Sequence, residues 1–160
     1  MTLKKTLLAT VVGAAMAGTA LLPLTASAET LRIGYSADPE TLDLHEQLSG
    51  GVLRFSHLSF DPLVRWTKDF QFEPRLATEW QQIDDTHVRM TLREGVTFHS
   101  GNPVTAKDVK WSLDRAVSVG GFPTFQMKAG SLEKPEQFVV VDDRTVRVDF
   151  IRKDRLTIPD

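Results

Sequence analysis

The sequence predicts a mixed α/β (α+β) fold, and three observations carry that prediction. Short segments such as Thr30–Ser36 and Leu63–Thr67 alternate apolar and polar residues with a period of two, as half-buried strands do. Two later stretches, 83–92 and 141–150, repeat one pattern: an apolar strand end, an Asp-Asp turn and a second alternating strand. Between them, Leu92–Ala116 ends in an amphipathic segment with a helix-start signal, which reads as a helix laid on a sheet. With 160 residues, 41% hydrophobic and 25% charged, the chain has the composition of a globular protein.

Residues 1–28 read as an export signal. Lys4 and Lys5 form a short positive start, Leu7–Leu22 an apolar run, and Ala26-Ser27-Ala28 a small-residue cleavage site. Gly13, Gly18 and Pro23 interrupt the apolar run, which suits a cleaved signal better than a lasting membrane span. An uncleaved anchor is the alternative. Cleavage after Ala28 starts the mature chain at Glu29. The sequence has no cysteine, so a cysteine-linked lipid and disulfide staples are both excluded, and a Gram-negative periplasm is favoured. Removing the signal takes away two lysines and no acid, which moves the formal net charge from −2 to −4. An acidic balance argues against a nucleic-acid partner.

In the mature chain, Thr30–Ser36 is expected as a strand with Leu31, Ile33 and Tyr35 on one face. Asp38-Pro39-Glu40 turns the chain, and Thr41–His45 is a compact connection. Ser49 is a candidate cap for a helix at about 50–58, with Val52, Phe55 and either Ser56 or Ser59 facing inward. Asp61-Pro62 ends that helix, Leu63–Thr67 is a strand, and Lys68-Asp69 closes it in a turn. Phe70 and Phe72 lead to Glu73-Pro74, and Leu76-Ala77 packs beneath the sheet. The two Asp-Asp segments read as two hairpins of one mixed sheet.

In the central stretch, Gly95 reverses the chain, Val96 and Phe98 alternate in a second extended piece, and Ser100–Pro103 bends it. Thr105 caps a helix over about 105–117 with Asp108 three residues on. Val109, Leu113 and Ala116 share its apolar face, with Ala106 and Trp111 at the margins. Gly120–Pro135 is expected as an irregular loop, whose Phe122 and Phe125 are either core plugs or a cleft wall.

Catalytic chemistry finds no footing. No two of His45, His57, His87 and His99 have the i, i+4 spacing of a helical metal site, and no cysteine can assist them. Asp84-Asp85 and Asp142-Asp143 fall at hairpin turns and read as turn formers. Ser49, in Ser-Gly-Gly, and Ser100, in His-Ser-Gly-Asn, lack the complete G-x-S-x-G frame of a nucleophile elbow.

LATEW at 76–80 and TLREGVTFHSGNPVTAKDVKWSLDRA at 91–116 resemble the signature region of the family 5 extracellular solute-binding proteins. These are periplasmic receptors of ABC importers for peptides, nickel and similar solutes. The chain matches the pattern L-A-x-x-W, then L-R-x-G-V-x-F-x-x-G-x-P-x-T-A-x-D-V, with Ser100 where many members have Asp before the glycine of the turn. The resemblance implies a type II-like periplasmic binding protein of two lobes. Residues 29–44 would be the first strand and connection of lobe one, and 45–160 the β-rich inserted subdomain. The chain would then be an amino-terminal fragment, with Leu31, Ile33 and Tyr35 partly exposed for want of neighbouring strands.

The resemblance also implies a function: a monomeric receptor that closes over a peptide or similar small solute and delivers it to an inner-membrane ABC permease, with no cofactor and no reaction. By position, Leu48, Ser49 and Gly50 match the backbone segment that runs along the ligand, where glycine permits close approach. From the residues alone, Ser49-Gly50-Gly51 reads rather as a helix-start loop. Phe125, or Phe122, falls near an aromatic that the family presents at the pocket edge. The alternative to a transport role is a stand-alone periplasmic interaction domain, acting by strand addition along Phe138–Val141 and Val146–Phe150.

Overall fold

The computed structural model describes residues 30–35, 38–47 and 49–153. The chain divides into two units, at Gly34 and Tyr35. In the first, residues 30–34 belong to no strand, and Leu31 and Ile33 are exposed. The strand expected over Thr30–Ser36 is therefore not formed at residues 30–35, and Ser36 lies outside the described residues. Alternation selects which face of a strand is apolar, but only a neighbouring strand satisfies its backbone groups. The expected exposure of Leu31, Ile33 and Tyr35 does hold.

The second unit begins with helix α1 (Gly50–Ser59), followed by strands β1 (Val64–Trp66), β2 (Phe72–Pro74), β3 (Ala77–Gln82) and β4 (His87–Leu92). Helices α2 (Ala106–Ser118) and α3 (Phe122–Ala129) come next, then a 3-10 turn at Pro135–Gln137 and strands β5 (Phe138–Asp142) and β6 (Thr145–Asp149). β1 and β2 form a small hairpin, with Trp66 stacked on Phe72 at 4.1 Å between ring centres. The main sheet has the order β3-β4-β6-β5, and every pairing in it is antiparallel. The expected mixed sheet is thus corrected: each hairpin is antiparallel, and the two join through β4 and β6 with His87 opposite Asp149 and Thr91 opposite Thr145. β6 is consequently an inner strand, and only β5 of the two proposed docking strands lies at an edge.

The two echoing turns work by the same chemistry. Asp84 accepts hydrogen bonds from the Thr86 and His87 amides at 2.8 and 3.0 Å, and Asp142 accepts from the Arg144 amide at 2.8 Å. The Thr86 amide and the His87 ring stabilise the ionised Asp84 carboxylate and hold its pKa down to about 2. These acids are turn formers, as expected.

One face of the sheet is covered by α2. Leu92 and Val146 pack with Ala106 and Val109, while Val117, Leu132, Phe138 and Val148 form a second cluster. Ala77, Val88 and Met90 close a third against half-buried Leu63, Val64, Trp80 and Phe150. α2 starts where its side chains can hold it. The Asp108 carboxylate accepts from the Thr105 amide and hydroxyl at 2.8 and 2.7 Å, and the Ala106 amide donates to the Asp143 carbonyl at 2.8 Å. Ala106 lies fully buried in the core and not at its margin, whereas Trp111 is 66% exposed.

Two further expectations are corrected. Val96 and Phe98 do not extend a sheet strand; the chain folds back at once, leaving one bridge between Thr97 and Pro103. Gly120–Pro135 is not an irregular loop throughout, since α3 occupies Phe122–Ala129 with Pro123 in its first turn. Proline there loses no helical hydrogen bond, so Gly-Phe-Pro marks a helix start as readily as a loop. α3 turns Pro123 and Thr124 inward and leaves Phe122 and Phe125 outward, 54% and 71% exposed, so neither is a core plug.

After α3, Ser131 takes a left-handed conformation (φ 68°) while fully buried, and its hydroxyl has no partner among the described residues. Glycine adopts that φ without a Cβ clash. Ser131→Gly is therefore expected to raise stability by about 1 kcal/mol, read as a higher midpoint in urea with an unchanged slope. A lower midpoint would contradict the assigned strain.

Candidate functional site

Of the four residues that the sequence nominated, Leu48 lies outside the described residues. Ser49 is the N-cap of α1: its side-chain oxygen accepts from the Val52 amide at 3.4 Å, and its carbonyl accepts from the Leu53 amide at 3.0 Å. Gly50 opens the helix and is exposed, with nothing within 4 Å of the position a Cβ would occupy. Phe125 stands on the outer side of α3. Ser49 and Gly50 thus combine a helix start with an unobstructed backbone surface, and Phe125 contributes an exposed aromatic ring.

A few residues before Ser49 in the chain lies a junction that sequence reasoning missed. Asp43 accepts from both Nη atoms of Arg115, at 2.8 and 2.5 Å, in a two-pronged pair between the segment before α1 and the last turns of α2. The same Asp43 carboxylate accepts from the His45 amide at 2.9 Å, and the Asp43 amide donates to Thr41 Oγ1 at 3.0 Å. His45 Nε2 lies 3.3 Å from Ser112 Oγ, one helical turn before Arg115. The carbonyls of His45 and Glu46 lie against Gly121, the residue that caps α3. Thr124 completes the joint, accepting from the Gly120 amide at 3.1 Å and donating to the Ala116 carbonyl at 2.6 Å.

The only local signal for this was Asp43 two residues before His45, which suits a side-chain-to-backbone turn. Its partner Arg115 lies 72 residues away on a face of α2 that the helical pattern leaves polar. Among the described residues no group of three or more His, Cys, Asp or Glu could hold a metal ion. An open depression of about 350 Å³ on the outer sheet face is lined by Ile83, Asp84, His87, Arg89, Val141 and Arg147, and includes none of the nominated residues.

The junction has a definite electrostatic character. Hydrogen bonding to Arg115 and to the His45 amide stabilises the ionised Asp43, lowering its pKa. Burial, then the nearby Arg115 charge, lowers the pKa of His45 against the weaker opposing pull of Asp43. A histidine whose folded pKa lies below its unfolded value of 6.5 binds fewer protons when folded. Its contribution is then complete above pH 6.5 and is lost as pH falls through the folded value. Proton-detected titration of the His45 ring is expected to give a midpoint below 6.5, moving upward in Arg115→Gln. A midpoint above 6.5 would show that the Asp43 charge dominates instead.

Residues 71–159 match the family of bacterial extracellular solute-binding proteins, family 5 middle. The chain is 30% identical over 125 residues to the probable D,D-dipeptide-binding periplasmic protein DdpA of Escherichia coli, covering 74% of this chain and 23% of that protein. It is 33% identical over 93 residues to the oligopeptide-binding protein OppA of Bacillus subtilis, covering 53% and 16%. Among solved structures, the murein tripeptide binding protein MppA of Escherichia coli superposes with a TM-score of 0.64 at 23% identity, over 73% of this chain and 26% of that one. Peptide-bound OppA of Listeria monocytogenes gives 0.60 at 25% identity, over 69% and 24%. The chain therefore spans about a quarter or less of the length of these relatives. No helix among the described residues is long and apolar enough to cross a membrane. The match over residues 71–159, which takes in the capped α2 and the β4–β6 sheet that it covers, shows that this chain belongs to the family 5 bacterial extracellular solute-binding proteins.

Proposed function

We propose that this chain is the amino-terminal part of a periplasmic receptor that binds an oligopeptide-like solute between two lobes and hands it to an inner-membrane ABC permease. The observation that carries the reading is the family match, together with relatives whose names specify D,D-dipeptide and oligopeptide binding. The export signal at residues 1–28, cleaved after Ala28, supplies the periplasmic address. In this reading residues 29–44 belong to the first lobe and 45–160 to its inserted subdomain. The protein acts without a cofactor and without enzymatic chemistry.

Leu48, Ser49 and Gly50 form the edge along which an extended peptide lays its backbone, exchanging main-chain hydrogen bonds as an added strand does. The empty space beside Gly50 supports that assignment, because a ligand backbone can approach where no side chain intervenes. Phe125 offers an exposed ring to a peptide side chain. A second reading, a stand-alone interaction domain that adds a partner strand, draws support from the open edge of β5. The irregular register between Val140 and Asp142 and the charge of Asp142 blunt that edge, and we favour the receptor.

A site built between lobes is incomplete in one of them. Calorimetry of the chain from Glu29 onward with a mixed library of di- to pentapeptides is expected to show no tight binding. Micromolar affinity in this part alone would contradict a solute held between lobes.

A further inference from the structure

The segment before α1 and the link into α3 meet at the C-terminal half of α2. Asp43 is held there by Arg115 in a two-pronged contact, and His45 lies against Ser112 one turn earlier. Gly121, in the short link to α3, packs on the backbone of the same segment. A Cβ on Gly121 would stand 2.6 Å from the carbonyl oxygens of both His45 and Glu46 and 2.7 Å from the Glu46 Cα. The φ of Gly121 is −74°, so glycine is required here for space and not for backbone conformation. Thr124 then bonds the start of α3 to the end of α2 through the Ala116 carbonyl.

The ion pair is one-third exposed on each side, and pairs of that kind add little to global stability. A guanidinium gripping both carboxylate oxygens does, however, fix direction as well as distance. Only two residues separate Glu46 from Ser49, the N-cap of α1, and Phe125 follows Gly121 by one helical turn. The junction thus lies close in sequence to both parts of the proposed ligand edge.

We propose that Arg115 and Gly121 are positioning residues. They lock residues 43–46 onto the α2–α3 link, and so fix the spacing between the Ser49-Gly50 backbone edge and the Phe125 ring that an extended peptide would span. The assignment of that edge to a peptide rests on the receptor reading above; the lock itself does not. Neither residue touches the ligand. Their effect passes through the segments they hold.

Hydrogen exchange on the mature chain tests the lock without any solute. In Arg115→Gln and in Gly121→Ala, the Val52 and Leu53 amides at the start of α1 and the Phe125 and Gln126 amides of α3 should exchange about tenfold faster. The Val88, Met90, Val146 and Val148 amides of the inner strands should be unchanged. Arg115→Lys, which keeps the charge but not the fork, should fall between wild type and Arg115→Gln. Asp43→Asn should match Arg115→Gln, and combining the two should add nothing further. Unchanged exchange at both helix starts would overturn the proposal. So would a uniform rise that includes β4 and β6, since that marks a general stability role. Peptide affinity is absent from every readout, so failure of the receptor reading leaves this result standing, and failure of the lock leaves the receptor reading to the calorimetry.

Discussion

The packing of α2 on the inner strands is the constraint on which the rest of the structure depends. Ala106 and Val109 enter the core against Leu92 and Val146, and Val117 joins the second cluster with Phe138 and Val148. This single helix therefore bridges both hairpins on their buried face. Its two ends do different work. The first amide of the helix donates to the Asp143 carbonyl, tying α2 to the β5–β6 turn. The last turns carry Ser112, Arg115 and Ala116, which gather the segment before α1 and the start of α3. One helix, buried along one face and polar along the other, thus links the sheet to the segment before α1 and to α3, whose Met127 also packs on the second cluster.

The division between the two ends has an electrostatic counterpart. At the helix start, Asp108 accepts from the amide and hydroxyl of the N-cap Thr105, at the end where a negative charge is favoured. At the other end Arg115 sits where the last carbonyls favour a cation, and it is that cation which Asp43 meets. Loss of the Asp43 charge on acidification leaves Arg115 without its fork partner. Burial and the neighbouring Arg115 charge both disfavour a proton on His45, so the junction holds the Asp43 carboxylate ionised and the His45 ring neutral more firmly than free side chains would be.

Local chemistry was legible where a residue type has few alternatives. Thr105 with Asp108 fixed the start of α2, Ser49 the start of α1, and the Asp-Asp pairs the hairpin turns, because each relies on a side chain bonding its own nearby backbone. Signals with two physical meanings misled. Gly120-Gly121-Phe122-Pro123 suits a loop and a helix start equally, and residues 30–35 carry strand alternation yet form no strand. The candidate site was legible only in part. Ser49 and Gly50 were visible as a cap and a bare backbone position, but Asp43–Arg115 joins positions 72 residues apart, and no periodicity reports such a contact. Gly121 carried no conformational signature either, since its need for glycine comes from a neighbouring backbone that the fold brings against it.

The central claim is that this fold forms one section of a larger periplasmic receptor, with its ligand edge held on α2 and completed by a second lobe. The most direct measurement is the size and location of the native product, by immunoblot of a periplasmic extract with antibody raised against residues 41–150. A periplasmic band several times larger than this chain is the predicted result, in keeping with relatives of which the chain spans about a quarter. A band at the size of the mature chain, or one confined to the cytoplasm, would contradict the receptor account.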